Sequence, residues 1–252
     1  MRTPPIYNES HKVVAYSGGK DSTAMLLRLI EEKAQVDAIL WYDTGWEFPI
    51  LYAHNVQVQE LISRSIMVIK PRRPFLEEMI KRPIVARKGP LKGQVHRIGQ
   101  GWPSPFRRWC TRSKHDDVQR ICGKATQYIG IAANEKDRAA KVARLHTSPT
   151  LFPLIDWGMT EADCLAYCKA RGLTWAGHYD HFARLSCYCC PMQRMEHLRM
   201  IRRAYPELWN NMLTWDRAMA EHNHGFKEHY TVQQLTERFA AEDQAEADQQ
   251  KT

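Results

Sequence analysis

The sequence predicts an α/β fold, a parallel twisted sheet with helices on both faces, followed by a helical region that carries cysteines. Three observations predict it. Short β-branched and apolar runs alternate with longer stretches of helical period. The connections between them are short, which implies right-handed parallel crossovers. Glycines and polar residues gather where the strands end, the edge at which open parallel sheets collect ligands.

The first element is Val13-Val14-Ala15-Tyr16, a buried strand. Ser17-Gly18-Gly19-Lys20-Asp21-Ser22-Thr23 follows, and a helix with broad apolar cover begins within it, from about Ser22 to Lys33. Two glycines let the backbone turn tightly and approach a ligand. The free N–H groups at a helix N-terminus then make a phosphate cradle. Hydroxyls of Ser17, Ser22 and Thr23 can add hydrogen bonds, and Lys20 a point charge. The spacing differs from the Gly-x-x-x-x-Gly-Lys-Ser/Thr loop.

Ala38–Tyr42 reads as a second strand, ending in Asp43-Thr44-Gly45-Trp46-Glu47. Asp43, Thr44 and Glu47 should sit near the phosphate loop, where Asp43 or Glu47 could hold magnesium or a ribose hydroxyl. A plain turn at Asp43-Thr44-Gly45 is the alternative. Pro49–Ser63 reads as a helix and Ser65–Lys70 as a third strand.

From Met79 to His115 there is no acidic residue. Arg87, Lys88, Lys92, Arg97, Arg107, Arg108, Arg112 and Lys114 fall there, with Trp102, Phe106 and Trp109 among them and glycines and prolines throughout. This reads as a mobile basic loop, about residues 82–112, over the active site. It suits either nucleic acid, whose phosphates pair with cations while bases stack on rings, or the phosphates of ATP. A helix should run from about Ser113 to Ile121. Gln127–Ala132, containing Gly130, reads as a fourth strand, with Glu135 and Arg138 just beyond its end. Thr160 caps a helix on which Cys164 and Cys168 read as core.

Seven cysteines, an odd number, include the crowded Cys187, Cys189 and Cys190. In a reducing compartment that density favours metal or redox chemistry over a disulfide frame. Thiolates so placed suit an iron–sulfur cluster, with Cys110 as fourth ligand; zinc with help from His178 or His181, or a thiol redox site, are the alternatives. Residues 192–222 and 231–240 are helical in pattern, Pro206 opening the second of those helices, and the tail from 241 reads as frayed. Met1–His11 reads as a flexible lead-in without a signal core. No apolar run approaches the ~20 residues of a membrane span, so a cytoplasmic protein is expected. The net charge of +8 fits an anionic partner, or simply a basic enzyme.

Taken together, Tyr16–Ser22, Asp43–Glu47, Ile129–Glu135, Pro153–Asp156 and Cys187-Tyr188-Cys189-Cys190-Pro191 resemble the phosphoadenosine phosphosulfate (PAPS) reductase-like branch of the PP-loop ATP pyrophosphatases. The resemblance runs from about residue 12 to 220 and implies an adenine nucleotide alpha hydrolase-like fold. It implies a nucleotide-binding domain over 12–158 and a helical, cysteine-bearing region over 159–240. It implies nucleotide binding by Tyr16 to Thr23, Asp43, Thr44, Gly45, Glu47, Gly130, Glu135 and Arg138, with Lys20, Asp21 and Asp43 catalytic. ATP, Mg2+ and a [4Fe-4S] cluster on Cys110, Cys187, Cys189 and Cys190 (or Zn2+) are the implied cofactors.

Two activities share that branch. Reductases of adenylyl sulfates use a cysteine in a C-terminal tail, and here no cysteine follows Cys190. The chain is closer in character to DNA phosphorothioation-type sulfurtransferase components, which activate an acceptor with ATP and then accept sulfur. DNA or another nucleic acid as acceptor, and a sulfur donor such as a cysteine desulfurase, are the implied partners; an oligomer is compatible. A non-catalytic nucleotide or nucleic-acid binding module is the reading from another class.

Overall fold

The computed structural model describes residues 7–219 and 225–249. In chain order the elements are β1 (Lys12–Tyr16), α1 (Lys20–Glu31), β2 (Ala38–Tyr42), α2 (Pro49–Ile62), β3 (Met67–Ile69), α3 (Phe75–Ile80), β4 (Pro83–Val85), β5 (Val95–Ile98), α4 (Trp109–Cys122), β6 (Thr126–Ile129), α5 (Lys136–Leu145), β7 (Thr150–Leu151), α6 (Pro153–Asp156), α7 (Glu161–Lys169), α8 (His178–His181), α9 (Met195–Ala204), α10 (Pro206–Ala218) and α11 (Val232–Gln249). They fall into two compact units, Met1–Arg72 with Ser113–Ser186, and Arg73–Arg112 with Cys187–Thr252.

The first unit holds a five-stranded, all-parallel sheet in the order β3-β2-β1-β6-β7. Central β1 sets Val14 opposite Ile39 on one side and Tyr128 on the other. Val13 and Val14 are wholly buried, and all five residues of β2 are buried, as a parallel sheet covered by helices requires. Helix α1 buries Ala24, Met25, Leu26, Leu27 and Leu29, and contacts β1, α2, α6 and α7. Cys164 and Cys168 on α7 belong to that same core. Thr160 caps α7 in a reciprocal box with Asp163.

The second unit departs from the sequence reading in three places. The stretch expected to be a loop contains an antiparallel ribbon, β4 with β5, with a register shift at Ile84/Val85. Its strands are three and four residues long. Pro83 at a strand start and positive-φ Gly89 and Gly93 in the connection serve the turn rather than disorder. Helix α4 also starts four residues earlier than expected, at Trp109. The tail expected to fray is helical to Gln249, because its acids meet arginines of α9: Glu242 binds Arg199 at 2.5 Å, Asp243 binds Arg202 and Arg203, and Glu246 binds Arg203. Residues 1–6 and 250–252, parts of the expected flexible ends, lie outside the described residues. Among the described residues no helix is long and apolar enough to cross a membrane.

Candidate functional site

The phosphate loop joins the end of β1 to the start of α1. Gly18 takes φ +77°, and Gly19 is the N-cap of α1 with no side chain capping it, so the cap leaves the first-turn amides to other partners. The Ser17 N–H donates to Ser22 Oγ at 3.1 Å, and the two serine hydroxyls lie 2.9 Å apart. Gly130, just past β6, packs backbone to backbone against the helix start: a Cβ there would stand 2.8 Å from Ser22 Cα and 2.9 Å from Ser22 N. Only glycine permits that approach.

Lys20 is buried, with its Nζ 2.7 Å from Glu161 Oε2 and 3.4 Å from Asp21 Oδ1. The Lys20 hydrogen bond holds the Glu161 carboxyl below its usual range, whereas burial pushes Asp21 up against the opposing pull of Lys20. The Lys20 backbone N–H donates to the Tyr179 hydroxyl at 2.8 Å, and Trp175 Nε1–H donates to Gly18 O at 2.9 Å. The buried Asn55 amide sits beside Gly18 with no hydrogen bond among the described residues. Tyr16 and Thr23 support the loop from behind. Both are buried, and the Thr23 hydroxyl meets Tyr16 and His54.

The end of β2 is a self-satisfied turn. Asp43 Oδ1 accepts from Gly45 N–H at 2.9 Å and from the Tyr52 hydroxyl at 2.7 Å, with Gly45 at φ +79°. Thr44 Oγ1 donates to Glu47 Oε1 at 2.9 Å. Burial raises the Glu47 carboxyl, and the charge of Lys114 opposes the rise. Beyond β6, Glu135 accepts from Arg138 at 2.7 Å and from Arg184 at 2.8 Å. The first unit therefore gathers Asp21, Glu135 and Glu161 with Lys20, Arg138 and Arg184 around the helix start.

In the second unit, Arg87, Lys88 and Lys92 are exposed on the β4–β5 ribbon. Arg108 and Arg112 are exposed on and beside α4, while Arg97 and Arg107 are half-buried. Of the three rings expected to stack on bases, Trp102 is instead core: its Nε1–H donates to Asp216 Oδ1 at 2.8 Å and its ring meets Phe226 edge-on. Phe106 is fully exposed.

No disulfide joins any of the seven cysteines. Burial pushes Cys122, Cys164 and Cys168 up to about 12, which makes them inert packing. Cys110, Cys187, Cys189 and Cys190 all lie in the second unit. Burial raises the Cys190 thiol above its ordinary value, the nearby Cys110 adds to the rise, and Arg108 and Lys227 pull against it. The Cys190 N–H donates to Cys187 O at 3.1 Å, forming a turn that carries three thiols. In donor chemistry and surroundings this set fits a thiolate-held group. Among the described residues, however, no three His, Cys, Asp or Glu side chains are gathered as a metal site.

Several participants carried no local sequence signal. Glu161 and Tyr179 reach Lys20 from 141 and 159 positions away. Buried Gln193 donates to the Cys187 carbonyl at 3.2 Å, and Lys227 Nζ donates to Gln193 O at 2.7 Å, so the cysteine turn is tethered at two points. Gln193 stands three residues past Cys190, which was the one available hint.

A model of the phosphoadenosine phosphosulfate reductase domain matches residues 11–193. Two uncharacterized proteins of Methanocaldococcus jannaschii are similar. One is 22% identical over 217 residues, 83% of this chain and 42% of that protein. The other is 23% identical over 208 residues, 78% of this chain and 45% of that protein. The chain thus spans less than half the length of these curated relatives. Among solved structures, the U34-tRNA thiolase NcsA from Methanococcus maripaludis with its [4Fe-4S] cluster is similar over 87% of this chain and 75% of that one, at 14% identity and a TM-score of 0.43. The family match takes in the phosphate loop, every strand of the parallel sheet and the cysteine turn, and the chain belongs to the phosphoadenosine phosphosulfate reductase domain family.

Proposed function

We propose that this chain is an ATP pyrophosphatase that adenylates a nucleic-acid acceptor for sulfur transfer. The observation that carries the reading is the phosphate loop. A glycine turn ends a central parallel strand, the Gly19 N-cap brings no capping side chain of its own, Tyr179 is the side chain that meets the first amide, and Gly130 packs against the helix start at backbone distance. First-turn amides and the helix dipole favour a polyphosphate there. The unpartnered Asn55 amide beside Gly18 supplies a further polar group for it.

Within that reading, Lys20 is held ready between Asp21 and Glu161, and an entering polyphosphate exchanges for Glu161 at the ammonium. Lys20 then stabilises charge developing on the departing pyrophosphate. An acceptor oxygen attacks the α-phosphorus, the bond to the β-phosphate oxygen breaks, and the acceptor is left adenylated. Magnesium is ordinarily held by one or two carboxylates together with phosphate oxygens, and Asp21 or Glu161 would be the carboxylate to hold it here. Cys110, Cys187, Cys189 and Cys190 would hold an iron–sulfur cluster, which when bound supplies a site for sulfur delivery. The exposed cations of the β4–β5 ribbon support a nucleic acid as acceptor.

The test is pyrophosphate and AMP release from ATP by anaerobically prepared protein, alone and with DNA, transfer RNA or sulfate. Release stimulated by one nucleic acid, and abolished in Lys20→Ala, is the expected outcome. Nucleic-acid binding without ATP cleavage would make the chain a binding module. Thiol-dependent sulfite release from an adenylyl sulfate would make it a reductase. The same protein should be brown and hold about four irons per chain; colourless protein with one zinc would exclude the cluster.

A further inference from the structure

The second unit contains a cavity of about 700 Å³ that the nucleotide chemistry above leaves unused. The volume lies within the roughly 300–1,000 Å³ of small-ligand sites. Its wall is built by Trp102, Phe106, Arg107, Met192, Phe226 and Lys227, among others. The floor is fixed, since Trp102 is tied to Asp216 and packed on Phe226. The rim is not: the Phe106 ring is wholly exposed, and Met192 is 39% exposed. A benzyl ring left in water on a cavity's edge leaves a face free for a flat partner.

Arg107 lines this cavity, and Arg97, outside the lining, lies near enough to oppose its charge. The Nε atoms of Arg107 and Arg97 are both shielded from solvent, and neither makes a hydrogen bond among the described residues. The two guanidinium groups oppose each other, and burial together with Arg97 lowers the Arg107 pKa. Lys227 turns its Nζ to two carbonyls, Pro191 O at 3.2 Å and Gln193 O at 2.7 Å, rather than to an acid. Among the described residues Glu228 is the one carboxylate on the cavity wall, and it is exposed. Two neighbouring arginines without a carboxylate partner among the described residues favour an anion. An aromatic face beside an anion-seeking arginine pair is the chemistry that recognises a nucleotide.

We infer that this cavity takes an unpaired nucleotide of a nucleic-acid strand, with its base against Phe106 and its phosphate on Arg107 and Arg97. The inference rests on the acceptor proposed above being a nucleic acid, and it names the part of the acceptor that is held. A strand, rather than a free mononucleotide, is favoured by the cations of the same unit that lie outside the cavity: Arg87, Lys88, Lys92 and Arg108 are exposed and can follow a backbone. The wall also includes Pro191 and Met192, which directly follow Cys190. A base held here therefore lies beside the segment that carries the thiols.

The experiment measures binding of fluorescent 12-nucleotide single strands, DNA and RNA, to the full chain, with the matching duplex and AMP as separate ligands. Phe106→Ala should weaken single-strand binding about tenfold, and Phe106→Trp should restore it, while duplex binding changes little. Because Phe106 is fully exposed, its replacement leaves packing intact. Arg107→Gln should weaken binding similarly and flatten the salt dependence by about 0.7 in log–log slope. A 5-iodouridine strand should photocrosslink to the peptide bearing Trp102 and Phe106. Wild-type strand binding that neither Phe106→Ala nor Arg107→Gln alters would overturn this pocket and leave the nucleic-acid acceptor standing. Failure of wild-type protein to bind any strand, with Phe106-dependent AMP binding, would overturn the strand as occupant and the acceptor with it.

Discussion

His54, 1% exposed, stacks on Trp175 with ring centroids 4.3 Å apart and shares a 3.0 Å hydrogen bond with Thr23 behind the phosphate loop. Burial lowers its pKa from 6.5 to about 4. As pH falls, the unfolded chain therefore takes up this proton before the folded one does. The stabilisation is complete above the unfolded value and is lost on the way down to the folded one. By about pH 4.5 the loss is roughly 2–3 kcal/mol. Urea unfolding at about pH 7 and pH 4.5 should show that loss in wild type, and His54→Gln, which cannot titrate, should lose less by the same amount. Equal losses in both would mean that His54 is solvated in solution. Gly130 makes a second claim at this scale. An added Cβ meets backbone atoms of α1 at 2.8 and 2.9 Å, and backbone cannot rotate away as a side chain can. Gly130→Ala should cost roughly 1–3 kcal/mol and weaken AMP binding, read by thermal midpoint and calorimetry. An unchanged affinity would show that the first turn of α1 tolerates displacement.

Helix α11 shows how an element can be set by partners distant in sequence. Its second half is acidic and polar, which by composition alone suits a loose tail. It stays helical against Arg199, Arg202 and Arg203 of α9, about 40 positions earlier. Arg199, then Arg238, hold the Glu242 carboxyl at about 2, below its ordinary 4.5. The folded-state pKa is depressed, so this stabilisation is present above the unfolded value and disappears as pH drops toward about 2. Each exposed pair contributes only about 0–1 kcal/mol, so the effect is local. Glu242→Gln with Asp243→Asn should speed hydrogen exchange over residues 241–249 by roughly five- to thirtyfold, as 1–2 kcal/mol implies, and leave α10 protected. Unaltered exchange would assign the helix to its own propensity. The same contrast explains what the sequence made legible. Strand β2 and the start of α10 at Pro206 were read to the residue, because a five-residue apolar run and a helix-opening proline are local signals. The β4–β5 ribbon was not, because strands of three and four residues joined through a Gly- and Pro-containing connection look like breakers until they pair. Around the site, the glycine loop was legible in its own residues. Glu161, Tyr179, Gln193 and the arginine pair Arg97–Arg107 were not, because their meaning lies in contacts made by folding.

At the scale of the molecule the question is where the net charge of +8 can act. Charge that is already paired attracts little. The arginines of α9 are spent on the acids of α11, and Arg138 and Arg184 on Glu135. Residues 79–115 hold ten Lys and Arg and no acid, and within them Arg87, Lys88 and Lys92 project into solvent. The ribbon therefore carries three exposed cations with no acid in the same stretch, which predicts binding that depends on salt and little on sequence. Affinity for a single strand should fall linearly in a log–log plot against salt, with a slope of about −0.7 per phosphate neutralised. Replacing Arg87, Lys88 and Lys92 together by Gln should reduce that slope by about 2, three contacts' worth. Fluorescence anisotropy between about 50 and 300 mM salt reads both slopes. A slope unchanged by the triple replacement would move the backbone contacts off the ribbon, to Arg108, Arg112 and the cavity arginines. A slope near zero in wild type would mean that the basic balance serves solubility, and that the ligand of this chain is a small anion held at the phosphate loop.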